Sequence, residues 1–483
     1  MRLTRTIAVA LLAVSHPSLG LVAPTARTRD RLSRVLFSSD PSLGCWLPVG
    51  GVSALQDLTP TKVKIANKDY VVWREDGSGT WSVQVDACPH RLAPLSQGRV
   101  DEKTGCIECP YHGWQFDTDG GCTDVPQMEG GGDSSRRSGL GVETLKTHVT
   151  GDLLWAFFKS DITGEMFDSS VLPEEHYPVL ARDDDKKYFV RELPYSFDFL
   201  VENFMDPAHI PFAHHSLQGV RTDGSPIDMA VVANNFTHCE VSFKDVIRGK
   251  EREGVVSMQR PCYYHFRTKG DSGGFSENLK IFIAPVAHGR CRVMFGSPLS
   301  IGFLPIWLVH AASNRFLNTD AWLHDAERFA RREGGKLKYK APTTSDMGPT
   351  VFRQWWQKQG MAAAPPHTFG PAPFSDLPQQ SRRQQIDVWE GHSKHCSECR
   401  AGLKKLKRLQ KLGMVAAVWG TVLGSKIRGL WGGAAGIALG SLGLLVNLFA
   451  RKCAAIIEGE VAPSGIADRS AAALAPSKEV KAA

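Results

Sequence analysis

The sequence lacks the basic, aromatic-interleaved patch of a nucleic-acid binder. Its 57 Lys and Arg against 50 Asp and Glu leave only +7 over 483 residues. That surplus sits in the first thirty-odd residues and in the run Arg400–Lys411, so nucleic acid is excluded as an expected partner. No internal repeat is present. Hydrophobic residues at 42% and charged residues at 22% are near globular averages, which argues against wholesale disorder and against a polytopic membrane protein. Any membrane part is therefore local. The eleven cysteines are scattered rather than arranged as a disulfide framework, and two of them alternate with histidines at ligand spacing.

What is there begins with a leader. Residues 1–20 combine a basic start, an apolar stretch from Ile7 to Val14 and small residues Ser18 and Gly20, which is a signal-peptide pattern; the next stretch is rich in Arg and Ser and nearly free of acid, as transit peptides are. The pair resembles the bipartite leaders of nucleus-encoded plastid proteins in algae, and residues 1 to about 40 are expected to be removed. From Cys45 to about residue 160, short β-like runs separated by Gly- and Asp-rich turns predict an all-β domain. Residues 185–358 read as an α+β domain, with a helix predicted over SFDFLVENFMDPAHIPFAHH and a second over Ile306–Arg332. Residues 360–400 read as a linker, rich in Pro, Ala and Gln at its start.

Within the β-domain, Cys88-Pro89-His90 and Cys109-Pro110-Tyr111-His112 give C-x-H followed by C-x-x-H. A [2Fe-2S] cluster takes four ligands on two irons, and replacing two thiolates by imidazoles on one iron raises the potential. Gly113 and Trp114 would let the second loop turn closely and shield the cluster. A structural zinc site is the alternative, but such sites usually pair Cys with Cys and His with His.

Within the predicted helix, Asp206, His209 and His214 give D-x-x-H-x4-H, which lets two imidazoles converge from one face. Two His and one carboxylate on one face of Fe(II) leave the opposite face for O2 and substrate. Isolated histidines at this spacing say little, but an electron-delivering cluster upstream needs an acceptor. Asp320 is the candidate third ligand and Asp325 the second choice; the alternative for either is a solvated helix face. His215 is expected to point elsewhere. Asp206 is expected to hydrogen-bond the free ring nitrogen of a ligand histidine and so link the two centres.

The segments CPHRLAPLSQGRV, CPYHGWQFDTDGGCTDVPQ, ENFMDPAHIPFAHH and NRFLNTDAWLHDAE resemble those of the Rieske oxygenases of plastid tetrapyrrole metabolism, the group of pheophorbide a oxygenase, protochlorophyllide-dependent oxygenase and the translocon-associated phyllobilin hydroxylase. The resemblance covers most of residues 45 to about 450. It implies a helix-grip-like catalytic domain, Asp320 as the acidic iron ligand, ferredoxin as electron donor and a homotrimer. Electron-transfer Rieske proteins carry a further cysteine in each loop, where this chain has Ala93 and Tyr111. Cys396 and Cys399 form a C-x-x-C that is metal-binding, redox-active or accidental by itself; in the group it resembles, such a pair precedes a hydrophobic tail and implies thioredoxin regulation, which requires exposed thiols.

Gly429–Ala450 is an uncharged run of membrane-crossing length. With Leu412–Ser425 it predicts an anchor of one or two helices over residues 412–450. The expectation is thus a plastid-membrane monooxygenase facing the stroma, with a [2Fe-2S] cluster and mononuclear Fe(II), acting on a chlorophyll-derived tetrapyrrole, pheophorbide a first. The alternatives are a hydroxylase of a phyllobilin, protochlorophyllide or chlorophyllide, or a translocon-associated electron-transfer protein, which would have no use for His209, His214 and Asp320.

Overall fold

The computed structural model describes residues 43–459, apart from 56–58, 76–78, 130–133, 160–166, 183–187, 271–274, 297–303, 333–339, 359–376 and 427–429. The expected leader and residues 360–376 lie outside the described residues. Strand Leu43–Gly51, whose Trp46, Leu47 and Val49 are buried, pairs antiparallel with Leu153–Lys159, Gly44 opposite Lys159 and Gly51 opposite Leu153. Thr147–Thr150 and Phe167–Asp168 flank this pair. A second four-stranded sheet runs Thr61–Ile65, Lys68–Arg74, Trp81–Val85 and Thr144–Leu145. A third, of two- and three-residue strands, runs Arg99–Val100, Ile107–Glu108, Gln115–Phe116 and Cys122–Asp124. The all-β reading of the first domain holds.

The catalytic region is a seven-stranded antiparallel sheet. Six strands, Asp228–Asn234, His238–Ile247, Lys250–Gln259, Tyr263–Lys269, Phe275–Ala287 and Arg290–Gly296, follow one another as a meander, and Tyr188–Leu193 closes beside the last. The first unit shares its core with this sheet: Trp155 meets Phe282 edge-on at 5.2 Å. The hairpin turn at Ala66 and Asn67, both at positive φ, is fastened by their N–H groups donating to Pro285 and Val286 carbonyls at 2.9 Å each. Left-handed backbone at alanine is costly, and these two bonds hold it. The loops bearing Cys88 and Cys109 have a separate small core of Val71, Trp73, Leu95, Val100, Ile107, Phe116 and Val142.

Both helical expectations are right in kind and broken in detail. The first segment is a helix over Phe197–Phe204, a 3-10 turn over Pro207–His209 and one helical turn over Ile210–Ala213. Pro207 forces the break: it excludes helical backbone at the preceding residue, and Asp206 is extended at φ −109°, ψ 92°. The second divides into Ile306–Asn318 and Leu323–Arg332, with Asp320 in the break. A further helix, Met347–Lys358, packs on Phe197–Phe204 at a glycine: a Cβ on Gly348 would lie 2.0 Å from the Met205 carbonyl oxygen.

The expected linker is a packed segment from Leu377 onward. Leu377 and Val388 are buried, a π-turn covers Trp389–Ser393, and Ser397–Lys426 forms one continuous helix that contains the whole 412–425 run. It turns back into Leu430–Glu458. Among the described residues one helix, Gly433–Glu458, is long and apolar enough to cross a membrane. The two helices meet through glycine: a Cβ on Gly420 would lie 2.4 Å from Gly440 N, and one on Gly436 2.3 Å from Gly424 Cα. Asn447 donates to the Gln410 carbonyl across the hairpin at 2.7 Å. Leu412, Val418, Trp419, Ile437, Leu445 and Phe449 are exposed around it.

Candidate metal centres

The two cluster loops are built alike. In each, the cysteine N–H donates to a carbonyl five residues on, Cys88 to Ala93 at 2.9 Å and Cys109 to Trp114 at 2.8 Å, and the cysteine carbonyl accepts from the residue four on. That fourth residue is left-handed in both loops, Leu92 at φ 59° and Gly113 at φ 73°. Asp86, buried, accepts from the Ser96 N–H and hydroxyl at 2.7 Å each and so ties the first loop down. Cys88 and Cys109 are buried, His90 and His112 partly exposed with ring centroids 4.6 Å apart. Burial pushes the Cys88 thiol up to about 11.

The residues fit a [2Fe-2S] cluster. His90 Nδ1 is buried without a hydrogen-bond partner while its ring stacks on Trp114 at 4.7 Å. Two groups of three or more candidate ligands have donor atoms within 4.8 Å of one another among the described residues, and these four side chains are not one of them. A set too spread for one ion suits two irons and argues against zinc. The histidine side faces solvent beside exposed Leu92 and Tyr111.

His209, His214 and Asp320 do form such a group. His209 Nε2 lies 3.2 Å from His214 Nε2, which lies 3.4 Å from Asp320 Oδ2. Each ring is oriented by a bond at its other nitrogen. His214 Nδ1 pairs with the Thr319 hydroxyl at 2.7 Å, and that hydroxyl donates to the Phe316 carbonyl at 2.6 Å. His209 Nδ1 pairs with the main-chain carbonyl of Asp206. Asn203 donates to Asp320 Oδ2 at 3.2 Å, leaving Oδ1 buried without a partner.

Burial, then the neighbouring His209, lowers His214 to about 3, so the ring is neutral despite the nearby carboxylate. Burial raises the Asp320 carboxyl against the pull of His209. Two imidazoles aimed at one point beside an orphaned carboxylate oxygen fit the donor set of a facial two-histidine, one-carboxylate iron site.

The expected role of Asp206 is altered. Its carbonyl, not its carboxylate, holds the histidine; the carboxylate caps the next turn, accepting from the Ala208 N–H at 2.8 Å. Asp325 lies apart, accepting from Gln385 at 3.1 Å. His215 accepts from the Arg221 N–H at 3.2 Å, away from the other two rings. Cys396 and Cys399 are buried, contrary to the exposure that a thioredoxin partner requires. Sequence reading missed Thr319, Asn203 and Asp86. Only Thr319 carried a hint, as the neighbour of Asp320. Thr319→Val is expected to weaken iron binding about 10- to 100-fold, the usual cost of an outer-shell partner, which iron retention under graded chelator would measure.

An all-β unit with this loop pair, joined to an antiparallel sheet whose flanking helical segments bring two histidines and a carboxylate together, defines a Rieske non-haem iron oxygenase, an oxidoreductase with a [2Fe-2S] cluster and a mononuclear iron. Residues 45–146 match the Rieske [2Fe-2S] domain family. Pheophorbide a oxygenase of Oryza sativa subsp. japonica is 30% identical over 413 residues, covering 77% of this chain and 75% of the relative. Flavonoid 8-hydroxylase 2 of Ocimum basilicum is 28% identical, covering 76% and 74%. Dicamba monooxygenase bound to dicamba has the same fold at a TM-score of 0.53 and 18% identity, over 67% of this chain and 99% of that one. The chain belongs to the pheophorbide a oxygenase family of Rieske oxygenases.

Proposed function

We propose that Cys88, His90, Cys109 and His112 hold the cluster, that His209, His214 and Asp320 hold the iron, and that the chain oxygenates a chlorophyll-derived tetrapyrrole, pheophorbide a first. The observation that carries the site is the convergence of His209, His214 and Asp320 with both rings fixed from behind. When bound, the two centres supply electron transfer and O2 activation. The chain orients both imidazoles from behind, holds the carboxylate dry and packs apolar Phe316 on His214 at 3.9 Å. Family membership supports the substrate class, ferredoxin as donor, a plastid location with the body on the stromal side, and subunit association; the apolar helix Gly433–Glu458 supports a membrane anchor.

Purified protein supplied with reduced ferredoxin, O2 and pheophorbide a is expected to consume the pigment with matching O2 uptake. Turnover of a flavone but of no tetrapyrrole would overturn the substrate reading and favour the hydroxylase alternative that the basil relative supports.

Asp206→Asn keeps an acceptor for the Ala208 N–H. Because the main-chain carbonyl that holds His209 is unchanged, it is expected to retain both metals, dithionite reduction of the cluster and turnover near the wild-type rate. A large loss of turnover with both metals retained would instead place the carboxylate in the electron path.

A further inference from the structure

The second close group of candidate ligands has no part in the oxygenase chemistry. His310, His392, Cys396 and Cys399 are all buried, at 2–7% exposure, with their donor atoms within 4.8 Å of one another. His392 Nε2 lies 3.3 Å from Cys399 Sγ and 3.2 Å from His310 Nδ1, which in turn lies 3.5 Å from both Cys396 Sγ and Cys399 Sγ. Neither cysteine is in a disulfide.

We propose that these four side chains form a closed structural zinc site that fastens the C-terminal helical hairpin to the catalytic sheet. Zinc takes thiolates at about 2.3 Å and imidazoles at about 2.05 Å in a tetrahedron, which sets N-to-S edges at about 3.6 Å and the N-to-N edge at about 3.3 Å. The observed edges, 3.3–3.5 Å and 3.2 Å, are those of that tetrahedron drawn in slightly. A hydrogen-bond network does not account for the geometry as well. His310 Nδ1 faces three acceptors or donors at once and has one proton or one lone pair to offer, whereas a cation at the centre satisfies all four atoms.

The surroundings are those of a metal site. His392 Nδ1 pairs with the Val190 carbonyl at 2.6 Å, which fixes its tautomer and turns Nε2 inward. Phe189 stacks on His392 at 4.4 Å and meets His310 edge-on at 5.1 Å, closing one side. A cavity of about 590 Å³ reaches His392 and Cys396 and gives an ion a way in. The ligands come from helix Ile306–Asn318, the Trp389–Ser393 turn, and Cys396 and Cys399 at the entry to helix Ser397–Lys426, while edge strand Tyr188–Leu193 supplies the Val190 carbonyl and Phe189 against His392. One ion thus ties helix Ile306–Asn318 to residues 389–399 and, through the His392–Val190 bond, to the sheet edge.

The test is metal analysis of the full chain, expressed with added zinc and purified in detergent without chelator. The wild type is expected to carry one zinc beside about three irons. The double variant Cys396→Ser, Cys399→Ser is expected to lose the zinc and keep its irons. Should that variant fail to fold, wild type grown on cobalt in place of zinc is expected to show the ligand-field and thiolate charge-transfer bands of tetrahedral Co(II). Zinc well below one per chain in the wild type, a quantitative Cys396–Cys399 disulfide in the isolated protein, or cobalt without thiolate bands would each overturn the proposal. The iron count is read from the same sample, so failure here is distinguishable from failure of the oxygenase assignment.

Discussion

His214→Ala is expected to leave a folded chain with its Rieske absorption intact and about two irons and two acid-labile sulfides, against about three and two in the wild type. His214 is 2% exposed, and its ring is clamped between the Thr319 hydroxyl, Phe316 and the site itself. Alanine removes the most rigid of the three donors. The remaining pair, one partly exposed histidine and one carboxylate, no longer defines a coordination face. Oxygenation should fall by more than the roughly 10- to 100-fold cost of losing an outer-shell partner. Iron and sulfide analysis with single-turnover product measurement checks this. A third iron that persists through desalting would remove His214 from the ligand set and with it the assignment of the centre.

Arg353→Met should produce the largest loss of stability. The Arg353 guanidinium donates to Glu202 at 2.7 Å and to Asp198 at 2.6 Å, both on the helix that leads into the ligand segment. Burial alone would lower its pKa, but the two carboxylates outweigh that and raise it. Methionine keeps most of the volume and takes the guanidinium from two buried carboxylates, of which Asp198 retains Arg331 at 3.9 Å, at a cost of about 3–5 kcal/mol. A lowered unfolding midpoint and weakened iron retention together are expected, because helix Phe197–Phe204 supplies Asn203 and positions Asp206. A midpoint equal to the wild type would show that the cluster is solvated. Adding Asp198→Asn and Glu202→Gln to Arg353→Met, a triple variant, should recover much of the loss.

The cluster motif was legible because all four ligands fall within 25 residues and their spacing is dictated by two short loops. The iron histidines were legible for the same reason. Ring orientation was not: it depends on Thr319, more than a hundred residues away, and on a main-chain carbonyl that every residue possesses. Asp320 was expected on a helix and stands instead in a break between Ile306–Asn318 and Leu323–Arg332. The Cys396–Cys399 pair illustrates the limit most directly. Its meaning depends on His310 and His392, and no local spacing connects His310 to the other three. The catalytic domain was legible only as α+β; its six-strand meander was not, nor was the core shared between the two domains, set by the Ala66–Asn67 turn and Trp155.

The glycine contacts of the C-terminal hairpin determine how it responds to its solvent. Where Gly420 meets Gly440 and Gly424 meets Gly436, main chain touches main chain, and the attraction is dispersion between closely set atoms rather than expulsion of water. Such a pairing does not need an aqueous phase to drive it. The helix-to-helix contacts of the hairpin would therefore be the same in water and in hydrocarbon.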